Sequence, residues 1–384
     1  MLKVAIGHSD DVDSGAAIET VLEQCREPLN SLSAQAGLLF ASIDHDFNLI
    51  LEKINDSYPG IELIGCSTDG EFSSTLGFAE DSLALTLFHS DKCVWKAGAG
   101  LDISKDPEGS LEKAFENLIP EDWDDPKLCI VTPESLTASG DSIVEGLRKQ
   151  LGDNIPILGG TAGDQWRIKQ TYQFCQNRVL SDAAPFLLFF GPVLVSYGVE
   201  SGWLPVGKKG KVTHAEDNIL YEIDDKPETE YYQHYLKIDL SEVVSEYPLA
   251  VYVSGTEEYY LRNPLFFNQE DGSIAFLGDI PKDASVQITH VERDWVIRAT
   301  GASVAKAQKN YPGREPSVAI CFSCAARKLV LGTRAHEEFE LIQKDYSDLM
   351  VTGFYAYGEI GPLLPNTPSR FHNETFISLL IGEE

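Results

Sequence analysis

Apolar and polar positions along this chain switch between a strand period and a helix period, and the order of the switches recurs. "AGLLFAS" (36–42) is a continuous apolar run of strand length, the stretch around 46–57 has helical spacing, and "IELIGCSTDGE" (61–71) is a strand that breaks into a glycine-rich end. "LALTLF" (83–88) and "CVWKAGAG" (93–100) flank the polar "HSDK" and predict the two arms of a hairpin. The same order returns as "KLCIVTP", a helix from about 139 to 150, "IPILGGTAGD", "PFLLFF", a Gly-Pro break and "VLVSYGVE". A third, partial copy runs from "SVAICFSC" (317–324) through a helical stretch near 333–345 to "LMVTGFYAYGEIG" and "TFISLLIG". Residues 36–100 and 126–200 are therefore expected to superpose, with Gly65 on Gly159.

Each copy carries one signature, a glycine that ends the strand followed five or six positions on by an acid: Gly65 to Gly70-Glu71, Gly159 to Gly163-Asp164, Gly353 to Gly358-Glu359. Glycine permits close backbone approach and positive φ, so each segment can turn just past its sheet. Between the copies, 214–240 reads as an acidic strand-turn-helix stretch, and 249–298 alternates short β-branched runs with turn clusters, as antiparallel strands do. The expected fold class is α/β, with two domains whose mixed β-sheets are built from repeated strand-helix-strand-hairpin units. The domains are 1–215 and 216–384.

Charge narrows the partners. With 60 acidic and 30 basic residues the chain carries a formal net charge of -30, which repels phosphate backbones and anionic lipid surfaces. Neither nucleic acid nor membrane is an expected partner. "MLKVAIGHSDD" lacks the features of a secretion signal, and no apolar run approaches the roughly 20 residues of a membrane span. Seven scattered cysteines suit buried thiols in a reducing compartment, so a cytoplasmic location is expected.

"GCSTDGEF" and "PILGGTAGD", followed in order by "YYLRNPL", "CFSCAARKLVLG", "GFYAYGEIGP" and "FHNETFISLLIGE", resemble the FIST family over nearly the whole chain. The resemblance implies an N-terminal and a C-terminal FIST region. It also implies a bacterial sensory, non-enzymatic role in which a small ligand, an amino acid in many members, is bound. It further implies a haem-binding nitric oxide sensor as the alternative, and a histidine kinase or cyclic-dinucleotide enzyme as the separate partner that receives the signal.

The residues themselves leave several chemistries to weigh. Cys321 and Cys324 form one C-x-x-C in an apolar strand, without a second pair or spaced histidines, so buried thiols account for them better than zinc. Cys66 stands where a strand breaks into "GCSTDGE", the setting of a nucleophile on a sharp turn. "LGGTAGD" is followed by "QWRIKQTYQF", which reads as a strand or hairpin and not as the helix that a phosphate loop opens. His234, among tyrosines in "EYYQHYL", is the candidate axial ligand if haem is bound. For an amino acid, Arg327 would hold the carboxylate and Glu359 the ammonium, with Phe354, Tyr355 and Tyr357 as the wall. His372 and Asn373 in "FHNET", and Thr161 and Asp164 in "GGTAGD", complete the expected ligand-binding set.

Overall fold

The computed structural model describes residues 2–30, 32–120, 123–236, 247–268 and 270–384. Three units of one topology make up its body. The first is β1 (Lys3–Ser9), α1 (Ser14–Leu29), β2 (Ala36–Ser42), α2 (Phe47–Ser57), β3 (Glu62–Thr68), a short hairpin of β4 (Glu71–Ser73) and β5 (Gly77–Ala79), and β6 (Leu83–His89). The second repeats this order as β7 (Val94–Leu101), α3 (Pro107–Phe115), β8 (Leu128–Val131), α4 (Gly140–Leu151), β9 (Ile157–Gly160), β10 (Gln173–Cys175), β11 (Arg178–Leu180) and β12 (Ala183–Phe190).

The third unit opens with β13 (Val193–Glu200) and is then interrupted. An insert follows, with nine strands among its described residues: β14 (Leu204–Pro205), β15 (Gly210–Glu216), β16 (Ile219–Ile223), β17 (Lys226–Pro227), then α5 (Glu228–Leu236), β18 (Leu249–Tyr252), β19 (Tyr259–Arg262), β20 (Pro264–Phe267), β21 (Ile274–Phe276) and β22 (Ser285–His290). The unit resumes with α6 (Arg293–Asn310), β23 (Val318–Cys324), α7 (Ala325–Leu331), α8 (His336–Asp345), β24 (Val351–Ala356), β25 (Glu359–Pro362), β26 (Ser369–His372) and β27 (Phe376–Glu383).

Each unit pairs two strands in parallel, β2 with β3, β8 with β9, and β23 with β24, and sets its last strand antiparallel to the first of them. The short hairpins leave home. β4–β5 extends the third unit's sheet beside β24, β10–β11 the first unit's beside β3, and β25–β26 the second unit's beside β9. This cyclic exchange ties the units together with pseudo-threefold regularity. The inner faces of the three sheets meet in one apolar core containing Ile6, Phe40, Ile64, Ile130, Leu158, Phe189, Phe322, Phe354 and Leu379. α1 and α2 cover the outer face of the first sheet, and α3 and α4 that of the second.

Gly65 and Gly159 do occupy one register, and Gly353 shares it: they pair with Leu39, Val131 and Cys321 of the neighbouring parallel strand. A Cβ at any of the three would lie about 2 Å from that partner's carbonyl oxygen, at 1.8, 1.9 and 2.1 Å, so a side chain cannot be accommodated. The hairpin expected from 83–88 and 93–100 does not form. β6 already has β1 on one edge and β2 on the other, so β7 crosses to the next sheet and pairs with β12. Of the strand or hairpin expected in "QWRIKQTYQF", only the end forms: 164–172 is a loop, and Gln173 and Phe174 open the β10–β11 hairpin. Residue 215 lies inside β15, within the insert. Among the described residues no helix is long and apolar enough to cross a membrane.

Candidate functional site

The three hairpins meet their host strands identically. Glu71 pairs with Phe354, Gln173 with Cys66 and Glu359 with Gly160. These three side chains are equivalent, so the second unit's counterpart of Glu71 and Glu359 is Gln173 and not Asp164. Each accepts from the residue at the same register position, at the start of the closing strand: Glu71 from the Ser82 hydroxyl, Gln173 from Ala183 N at 3.3 Å, and Glu359 from Thr375 N and Oγ1 at 3.0 and 2.8 Å. The repeated polar residue is thus a latch on the chain's return into the sheet.

Two of the latches are saturated from within. Glu71 also accepts from Thr68, and Ser82 is in turn held by His8 Nε2 at 2.9 Å. Gln173 donates to Glu134 and Thr171 at 3.2 and 2.9 Å. The third latch differs. Around it, Asn263 Oδ1, Glu359 Oε1, His372 Nδ1, Asn373 Nδ2 and both carboxyl oxygens of Glu374 are buried without a hydrogen-bond partner. Contacts bring these residues together: His372 is the β-pair partner of Glu359, Asn263 N donates to Asn373 Oδ1 at 3.1 Å, and Glu374 lies between Asn373 and the latch residue Thr375.

Burying polar groups unpaired costs roughly 1–3 kcal/mol each and more for charges, so such a concentration is not what packing alone selects. Asp182 stands where Glu374 stands, by register in the second unit, and shares its left-handed backbone (φ 51° and 61°). Asp182, however, is only half-buried and accepts from Ser104 N and Oγ at 2.8 and 2.7 Å. Only the third junction has turned this acid inward.

Electrostatics follow from the burial. Loss of hydration pushes the Glu359 carboxyl up to about 8, against the opposing pull of the Thr375 hydroxyl and amide, and Glu71 likewise to about 8. Glu374 is raised well above the carboxylate range, first by burial and then by Glu359 beside it. Burial lowers the His372 imidazole to about 4; its Nε2 faces Gly361 O at 2.8 Å and donates to it, which leaves Nδ1 an acceptor. The empty valences therefore comprise the carboxyl groups of Glu359 and Glu374, acceptors on His372 and Asn263 and a donor on Asn373.

A cavity of about 250 Å³ reaches this cluster at His372 and Thr375. Its other walls come from the end of β13 (Glu200, Ser201), from Tyr259 and Tyr260 of the insert's β19, and from Lys306 of α6. The insert is clamped here by Arg262, which takes Asp141 at 2.8 and 3.0 Å and donates to Phe371 O at 3.0 Å.

Arg327 takes a different place from the one expected. It is fully buried, and its guanidinium binds Glu338 of α8 at 2.6 and 3.1 Å, Val296 O and Thr300 Oγ1 at 2.9 Å each, and Ser201 O. Its donors are spent inside the fold, so the pairing of Arg327 with a ligand carboxylate is corrected. Tyr355 points outward to the same α8, donating to Glu338 at 2.7 Å, and Phe354 points inward to the shared core. Neither forms a pocket wall. Tyr357, Asp164 and Thr161 gather elsewhere. The Tyr357 hydroxyl donates to Asp164 at 2.7 Å, and Thr161 N donates to Gly358 O at 2.8 Å. Of the expected set, Glu359, His372 and Asn373 come together; Asn263, Glu374 and Thr375 join them, although only the motifs "YYLRNPL" and "FHNET" hinted at them.

Cys66 is fully buried in the shared core, where burial raises its thiol well above the ordinary range, the opposite of an activated nucleophile. All seven cysteines are buried and free. Among the described residues no cluster of His, Cys, Asp and Glu has the geometry to hold a metal ion. His234 is exposed on α5, meets Tyr235 edge-on at 4.8 Å, and lines none of the clefts described here. An axial ligand needs its ring turned into an apolar slot. The residues described around His234 do not fit haem.

The model of the FIST N domain matches residues 35–226 and that of the FIST C domain residues 229–362. The chain belongs to the FIST family. FIST domains are sensory domains of signal transduction. An uncharacterized protein of Methanocaldococcus jannaschii is 26% identical over 257 residues, covering 62% of this chain and 48% of its own length, so the match spans about half of that relative. Uncharacterized proteins of two Mycobacterium tuberculosis strains are 22% identical over 386 residues, covering 94% of this FIST chain and 95% of theirs. The family boundary between 226 and 229 falls inside the structural insert, which starts at Leu204 and ends at His290.

Proposed function

We propose that this FIST protein senses a small amine-bearing metabolite, an amino acid being the class that fits, at the third junction between insert and body. The observation that carries the reading is the cluster of buried unpartnered atoms there, rich in acceptors, beside a cavity that the insert helps to close. An ammonium would satisfy Glu359, Glu374 and His372 Nδ1, and a carboxylate would take Asn373 Nδ2 and, at the rim, Lys306. Tyr259 and Tyr260 would cover the remainder. Since the cavity is walled by both insert and body, occupancy would change how firmly the insert is seated, and a separate signalling protein, a histidine kinase or cyclic-dinucleotide enzyme, would read that change.

The reading is tested by calorimetry of the twenty amino acids and simple alkylamines in two buffers of different ionisation enthalpy. Binding of an ammonium should convert Glu359 from carboxylic acid to carboxylate, so the expected signature is proton release near pH 7. Asn373→Ala and Glu374→Gln are each expected to weaken affinity by about 2 kcal/mol or more, the scale for removing one partner of a buried polar contact. Absence of binding across the whole panel would refute the amine reading.

A further inference from the structure

The second unit carries a loop its sisters lack. From each unit's register glycine to its hairpin residue that pairs with another unit's register glycine, the chain takes fifteen positions between Gly159 and Phe174, against seven from Gly65 to Phe72 and from Gly353 to Ile360. The added residues are anchored by their polar groups. Asp164 accepts from the amides of Ile168, Lys169 and Gln170 at 3.0, 2.7 and 3.2 Å and from Tyr357 at 2.7 Å. Arg167 forms a two-pronged pair with Asp44, and Gln165 donates to Asp81 at 2.7 Å.

While Asp164, Gln165 and Arg167 tie the loop to the body, its apolar side chains face water. Trp166 is 42% exposed and Ile168 57%, and both have left-handed backbone, φ 59° and 48°, as does Gln165 at 55°. For Trp and especially for β-branched Ile this conformation is unfavourable, at about 1 kcal/mol or more per residue. A loop that merely plugged the sheet end would bury its tryptophan. Here the ring leans on Tyr357, with centroids 5.4 Å apart, and forms one wall of an open cleft of about 450 Å³. Leu329 of α7, itself 58% exposed, also lines the cleft, with Asp69 and Lys328 and the acids Glu80 and Asp81.

Among the residues that line the cleft, the acids Asp69, Glu80 and Asp81 outnumber the single base Lys328. Lys328 is matched by Asp69 at 3.0 Å and Glu80 at 3.2 Å, and Arg167 of the loop by Asp44. We infer that the Trp166–Leu329 cleft is a docking surface for a basic segment of a partner protein, anchored by one aromatic or leucine side chain and flanked by Lys or Arg. A preorganised loop lowers the ordering cost of association, an exposed Trp beside a Leu supplies the anchor, and the acidic surround attracts the flanks while rejecting anionic lipid. This assignment does not depend on what the third junction binds.

Selection of short phage-displayed peptides on the full chain at low salt tests it, with Trp166→Ala and Leu329→Ser as counter-targets. The expected peptides carry an aromatic or leucine anchor among Lys and Arg, bind the parent chain, lose about tenfold or more on either variant, and weaken as salt is raised. Both substituted side chains are well exposed, so the variants should keep the parent melting temperature, which is checked by circular dichroism. Peptides indifferent to both substitutions, or predominantly acidic peptides, would overturn the assignment. So would self-association of the chain that Trp166→Ala abolishes in sedimentation, since the occupant would then be a second copy.

Discussion

Arg327→Ala is expected to lower folding stability by about 3–5 kcal/mol, the scale for removing one partner of a buried ion pair. Without the guanidinium, Glu338 keeps the hydroxyls of Thr300, Ser323 and Tyr355 as donors but loses its buried counter-charge, and Val296 O and Ser201 O lose theirs as well. Arg327→Lys should rescue little, because one ammonium cannot reach carboxylate, hydroxyl and two carbonyls in the directions of a guanidinium fork. Urea unfolding of the three proteins measures the effect. An Arg327→Ala protein as stable as the parent would instead return this residue to the ligand site.

Glu359→Gln is expected to stabilise the protein at neutral pH while weakening amine binding. The second unit already uses glutamine at this latch, where Gln173 Oε1 accepts from Ala183 N, so the substitution keeps the acceptor that Thr375 needs. Burial holds the folded carboxyl at about 8 against an ordinary value of 4.5. Below 4.5 both folded and unfolded chains are protonated and nothing is lost. As pH rises toward 8 the unfolded chain releases its proton while the folded chain retains it, so stability falls by up to ~1.4 kcal/mol per pH unit until Glu359 ionises. Parent and variant should therefore be nearly equal in stability near pH 4.5, and the variant should lead by about 3 kcal/mol near pH 7. Parallel pH profiles in urea titrations would contradict the buried, neutral Glu359 on which the site rests.

The threefold body was legible because each unit repeats the same apolar runs and ends its second parallel strand in a glycine that the neighbouring carbonyl requires. What remained hidden was which strand pairs with which. "LALTLF" and "CVWKAGAG" are adjacent strands joined by a short polar turn in either arrangement, and only the occupancy of both edges of β6 decides against a hairpin. The exchanged hairpins were hidden for the same reason, and with them the equivalence of Gln173 to the two glutamates. In the site, Glu359, His372 and Asn373 stood out as chemistry in an apolar context. Glu374 did not, since an acid in a polar run reads as solvent-facing, and its counterpart Asp182 is indeed half-exposed and paired with Ser104. Arg327 drew attention as the cation at a strand end, but its partner Glu338 lies in "HEEFELIQ", where it looks like one surface acid among several.

The central claim, that the third junction holds an amine-bearing small molecule, is tested most directly by native mass spectrometry of the protein purified from its own host. The expected result is a non-covalent adduct whose released mass fits an amine, present on the parent chain and absent from Glu374→Gln. A parent chain without any adduct even after incubation with host extract, or an adduct that Glu374→Gln retains in full, would contradict it.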